Sequence, residues 1–149
     1  MKRLISFAIL ACLPLSAAFA ADGKPDRFVT DELTKTECSA CHIAFPPRLL
    51  PATSWDAMMG GLAEHFGENA ALDAASTEAI RAYLNANAGK PSAKAFYPDG
   101  KPMLRISELS WFVHEHGAKM SAKEEKKAGT WANCAACHAG AEKGQFDDD

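Results

Sequence analysis

The chain has 149 residues, a formal charge of −3 at pH 7 and 48% hydrophobic residues. With 16 Lys and Arg against 19 Asp and Glu there is no basic excess to neutralise a phosphate backbone, which argues against a nucleic-acid partner. Its five cysteines, unevenly placed, carry the chemistry.

Residues 1–20 read as a secretory leader. Lys2 and Arg3 form a positive start, residues 5–15 an apolar stretch, and Ala18-Phe19-Ala20 puts small residues where a signal peptidase reads them. A membrane anchor is the competing reading, but the stretch is short for a core of ~30 Å and Pro14 and Ser16 interrupt it. A lipoprotein cut before Cys12 would leave a truncated apolar core. Cleavage after Ala20 leaves 129 residues, takes Lys2 and Arg3 with it, and moves the charge from −3 to −5. No second apolar run reaches membrane length, so a periplasmic product without a membrane span is expected. Asp147-Asp148-Asp149 reads as a solvated terminus, although the acidic balance also suits a partner with a positive docking face.

Cys38-Ser39-Ala40-Cys41-His42 is the first of two copies of one pattern, and Cys134-Ala135-Ala136-Cys137-His138 is the second. Cys-x-x-Cys-His is the attachment signature of a c-type haem. Two thiols one turn apart can each add to a vinyl group of the same porphyrin, and the adjacent imidazole then faces the iron. One copy alone could be a disulfide or part of a zinc site. A zinc ion would need further ligands placed around each pair, and a thioredoxin-like motif would need a βαβ setting that no strand pattern supplies. Two copies use four of the five cysteines and leave none over after cleavage at Ala20. They point to two covalent haems, with Cys38, Cys41, Cys134 and Cys137 as attachment points, and to electron transfer.

The pattern between and around the motifs is helical. Residues 26–42 can form a helix running into the first motif. Phe45-Pro46-Pro47 through Pro51 cannot continue it, because proline removes donors. This stretch is expected as extended chain beside the haem, offering a carbonyl to the His42 Nδ1–H. Ser54 reads as the N-cap of a helix bearing Trp55, Met58, Met59, Leu62, His65 and Phe66 on one face, with Gly67 as its stop. Gly60 and Gly61 would allow close backbone approach. Asp73 caps a helix with Ile80, Tyr83 and Leu84 on one side, ending by Gly89. Residues 89–102, rich in breakers, read as a connection between a first haem lobe (21–95) and a second (96–149). Ser110 starts a short helix closed by Gly117. Ser121-Ala122-Lys123-Glu124 is a capping box opening the helix that leads to the second motif. The expected fold is mostly α: a small, two-lobed helical dihaem cytochrome with long irregular loops, each porphyrin serving as part of the core.

His42 and His138 are the proximal iron ligands. A low-spin haem needs a sixth ligand, normally His or Met. For the first haem His65 is the choice; a partly buried structural histidine is the plainer reading of it. For the second, His114 and His116 sit two apart on one short helix, cannot both face one iron, and remain open. Met58, Met59, Met103 and Met120 are fallbacks, since Met at helical spacing more often fills core. Trp111 and Phe112 suit haem packing or ordinary core equally.

The residues Glu37 to His42, Phe45-Pro46-Pro47, Leu50-Pro51, Ser54-Trp55, His65-Phe66-Gly67, Arg105-Ile106-Ser107, Trp111-Phe112, Glu115-His116 and the end from Cys134 to Phe146 together resemble the bacterial periplasmic dihaem cytochrome c family. Its founding member donates electrons to the sphaeroides haem protein, a small oxygen-binding monohaem cytochrome. The resemblance implies bis-histidine ligation at both haems, with His65 and His116 as the distal ligands. The extra histidine at 114 departs from the family pattern. Two imidazoles per iron imply low potentials and no open coordination site. The competing readings are a haem enzyme or gas-binding protein with one labile iron, peroxidase-like or O2/NO-handling, and a dihaem subunit of a larger reductase complex. A small monohaem cytochrome as acceptor and a membrane cytochrome b as donor are the partners this reading expects.

Overall fold

The structure is a computed structural model that describes residues 28–146. The leader, any helix start at Asp26 and the terminal aspartates lie outside the described residues. Among the described residues there are five α-helices, joined by 3-10 turns and long loops, and no strand. The mostly helical expectation holds.

Helix α1 (Glu32–Cys38) starts where Asp31 Oδ1 accepts from the Thr34 N–H at 2.7 Å, and it stops at Cys38. It is shorter than the expected run to His42. From Ser39 the backbone leaves the helix and turns through Cys41 and His42. Helix α2 (Ala52–Gly60) begins one residue after Pro51, whose carbonyl accepts from Ser54 N and Trp55 N. Ser54 is therefore not its cap. It lies inside the first turn, fully buried, with an Oγ that has no partner. The helix also fails to reach His65. Gly60 and Gly61 lose the most backbone freedom on folding, so the helix ends there. They serve as a stop; a Cβ at Gly60 would meet no protein atom within 4 Å, and one at Gly61 would meet the Ala57 carbonyl at 3.4 Å.

Helix α3 (Ala74–Ala86) is capped by Asp73, which accepts from Ala75 N and Ser76 N. It packs against α2 and α1 and buries Ile80 and Leu84. These two join Leu50, Trp55, Met59, Ala95 and Leu109 in one core. Met58 and Met103 pack against that core, so three of the four fallback methionines are core filling. The core also spans the 95/96 boundary, because Met103 N donates to Ala95 O at 2.8 Å and carries the connecting loop into it.

Two features brace the first motif. Trp55 Nε1–H donates to the Pro47 carbonyl at 2.7 Å, both residues being buried. Gly89 N donates to Leu50 O at 2.8 Å, and a Cβ at Gly89 would collide with the Arg48 carbonyl oxygen. The proline segment folds as a 3-10 turn, Pro47–Leu49, where extended chain was expected, because Trp55 holds the Pro47 carbonyl inward.

Helix α4 (Ser110–His116) ends at Gly117, whose φ of 81° suits glycine. Helix α5 (Ala122–Ala128) opens with the complete capping box, Ser121 N to Glu124 Oε2 at 2.7 Å and Glu124 N to Ser121 Oγ at 3.3 Å. No helix among the described residues is long and apolar enough to cross a membrane.

Candidate haem sites

The chain brings two imidazoles together at each of two sites. At the first, the His42 and His65 ring centroids lie 6.1 Å apart, with planes at 28°. At the second, His116 and His138 lie 5.9 Å apart, with planes at 76°. Two imidazoles bonded to one metal at about 2 Å per nitrogen would have centroids roughly 6 Å apart. Both gaps fit one iron and are too wide for direct ring stacking.

His42 is held by its own loop. Its Nδ1 lies 2.7 Å from the Ile43 carbonyl and Phe45 stacks on its ring at 4.7 Å, which leaves Nε2 to face outward. The orienting carbonyl was anticipated but comes from Ile43, one residue on, and not from the proline segment. His65 stands beyond the end of α2. It is presented by a tight loop in which His65 N donates to Glu68 O at 2.8 Å and Glu68 N returns to His65 O at 3.1 Å. Phe66 in that loop has φ 56°, a left-handed conformation rare for a bulky residue. The His65 Nδ1 is buried without a partner. Burial first, then His42 and Arg105, push the His65 pKa down, so the ring is biased to the neutral, metal-binding form.

At the second site the His116 ring stacks on Phe112 at 4.2 Å and meets Trp131 edge-on at 5.8 Å. Its Nδ1 lies 3.2 Å from the Phe112 carbonyl, the helical residue four before it. His138 packs against Phe146 at 5.7 Å. His114 lies elsewhere: its side chain is 83% exposed, with Nε2 3.9 Å from Glu115. Trp111 is largely exposed while Phe112 is buried, so the two adjacent aromatics differ in role.

Among the described residues the four motif cysteines form no disulfide. Before haem is attached, burial, aided by Glu37, pushes the Cys38 thiol up to about 11, and burial raises Cys134 as well. Disulfide-exchange Cys-x-x-Cys pairs show the opposite, a depressed leading thiol. Among the described residues no group of three or more His, Cys, Asp or Glu converges as a metal site, which removes support for zinc. The donors fit haem: paired cysteines, an imidazole on each side of a gap, and apolar rings around it. An open cavity of about 530 Å³ beside the first motif is lined by α1, Cys41 and His42 but not by Cys38 or His65, so it lies behind the motif and not in the gap.

The dihaem cytochrome c family model matches residues 34–146. The chain belongs to the dihaem cytochrome c family. Members of this family carry two covalently bound haem c groups. A diheme cytochrome c from Rhodobacter sphaeroides is 51% identical, with a TM-score of 0.71, over 80% of this chain and 98% of that one. A second structure of the protein purified from Rhodobacter sphaeroides is 52% identical at a TM-score of 0.69, over 80% and 99%. A diheme cytochrome type c from Shewanella baltica OS155 is 35% identical at 0.64, over 78% and 86%. No curated protein matches the chain.

Sequence reasoning named no role for Trp131, which packs on both Phe112 and His116. An aromatic three residues before Cys134 was a usable signal. It also missed Arg105 as a neighbour of the first site, where the guanidinium lies 4.0 Å from the Phe66 ring centroid. No local pattern announces a contact between residues so far apart in the chain.

Proposed function

We propose that this dihaem cytochrome is a periplasmic electron carrier whose two haems are each ligated by two histidines, His42 with His65 and His138 with His116. The observation that carries the proposal is the pair of imidazole gaps, 6.1 Å and 5.9 Å, each matched to one metal ion. Cys38 and Cys41 would anchor the first haem, and Cys134 and Cys137 the second. The bound iron supplies a one-electron change between Fe(III) and Fe(II). Two imidazoles would hold each iron and leave small molecules no open site, and the aromatic rings packed about those histidines would exclude water. Ile43 O and Phe112 O orient the His42 and His116 rings through Nδ1, a contact that fixes the tautomer and raises ligand basicity. A small monohaem cytochrome of the sphaeroides haem protein type as acceptor, and a membrane cytochrome b as donor, fit a carrier of this charge.

The test is spectroscopy of the purified full-length gene product. Two low-spin ferric EPR signals, two low-potential one-electron waves and no rapid carbon monoxide binding by the reduced protein are expected. A high-spin resting iron or rapid carbon monoxide uptake at either haem would replace the carrier with an enzyme or gas-binding protein.

A further inference from the structure

Beside His65 the chain brings Arg105. The guanidinium stands 4.0 Å from the Phe66 ring centroid, and that ring stands 4.8 Å from His65, so the cation lies within about 9 Å of the imidazole. Phe66 is the residue in the left-handed conformation, and the loop that turns His65 inward thereby offers its aromatic face to the cation.

We propose that Arg105 is a positioning residue that raises the reduction potential of the first haem. This rests on the ligation of the first haem by His65 proposed above. A fixed positive charge favours the iron state that carries one positive charge less, which is the reduced one, so it raises the midpoint. The charge of Arg105 has a counter-charge beside it. Glu108 sits 3.8 Å from its Nε, and Glu108 in turn accepts a hydrogen bond from the Tyr97 hydroxyl. Glu108 thus partly cancels Arg105, and Tyr97 fixes where it does so. The plainer role for Arg105 is to pack on Phe66 and steady the His65 loop. The two roles separate by sign. Packing depends on the planar guanidinium, whereas the electrostatic role depends only on charge.

The experiment is a redox titration of the intact dihaem protein, monitored by EPR, for Arg105→Gln, Arg105→Lys and Glu108→Gln. A unit charge at this range in the effective dielectric of a protein surface changes a one-electron equilibrium by about tenfold, which is ~59 mV for such a couple. Arg105→Gln should lower one midpoint by that amount and leave the other in place. Arg105→Lys should restore most of it, and Glu108→Gln should raise the same midpoint. Because Arg105 is half exposed, the shift should shrink as salt is added. The affected haem is identified by repeating Arg105→Gln with His116→Ala, where the surviving low-spin signal belongs to the first iron. Unchanged midpoints in Arg105→Gln, an equal fall in Arg105→Lys, or a fall in Glu108→Gln would overturn the inference. So would a shift confined to the second haem. Failure of the ligation reading looks different: both low-spin signals would persist in His65→Ala, or one would be missing from the wild type.

Discussion

Replacing Trp55 by Phe tests how the first site is braced. Trp55 is 6% exposed, and its indole N–H donates to the Pro47 carbonyl, a buried group with that donor at 2.7 Å. Phe keeps most of the apolar body and removes the donor. The carbonyl keeps its second donor, the Leu50 N–H at 3.3 Å, so the loss is that of one hydrogen bond, about 0.5–1.5 kcal/mol. Phe covers roughly 40 Å² less surface than Trp, which adds ~1 kcal/mol at about 25 cal/mol per Å². The total of ~1.5–2.5 kcal/mol is a sizeable part of the ~5–15 kcal/mol that stabilises an ordinary domain. For a chain of this size each kcal/mol lowers the melting temperature by about 3–5 °C, giving a drop of roughly 5–12 °C. The assay is thermal unfolding by far-ultraviolet circular dichroism, with the haems attached. Because Pro47 lies two residues beyond the Phe45 that stacks on His42, the low-spin signal of the first haem should broaden while that of the second stays sharp. A drop smaller than about 3 °C would refute the claim that this bond holds the loop.

Other expectations follow from the same geometry. His116→Ala should convert one of the two irons from low to high spin by EPR, and His114→Ala should leave both unchanged; the reverse result would exchange their roles. Gly89→Ala should cost about 1–3 kcal/mol in chemical denaturation, because the new Cβ meets the Arg48 backbone, which cannot step aside as a side chain could. Hydrogen bonds from the Ser76 hydroxyl first, and then from the Ser76 and Ala75 N–H groups, hold the Asp73 carboxyl below its ordinary range. Its folded pKa is depressed, so its contribution is present above the unfolded value and lost as pH falls through the folded one. Asp73→Asn keeps the cap and removes the charge, and its stability should approach that of the wild type as the pH falls into that window. Mass spectrometry of the exported protein should show a chain beginning at Ala21 with two haems added; retention of Lys2 and Arg3 would overturn the leader.

The chemistry was legible in the chain because it is local. Cys-x-x-Cys-His needs only five consecutive residues. The Asp73 cap, the Ser121–Glu124 capping box and the Gly117 stop each act within one turn of backbone, so they could be read without knowing what lies around them. Ser54 misled for the same reason: it is a good cap by type, but Pro51 had already supplied the carbonyl that starts the helix. The helix expected to carry His65 was read from periodicity, which does not register that two successive glycines favour a stop.

What only the tertiary structure decided are the juxtapositions between distant segments. His114 and His116 have the same chemistry and sit on one helix, and local sequence does not separate them. In the folded chain His116 turns toward His138 and Trp131 while His114 faces solvent, because burying Phe112 fixes how α4 is rotated. Arg105 reaches the first site across 39 residues by folding back onto Phe66. Sequence states which groups can bind a haem. Packing decides which pair shares one, and which charge stands beside it, because distance in space follows from how the apolar faces close on one core.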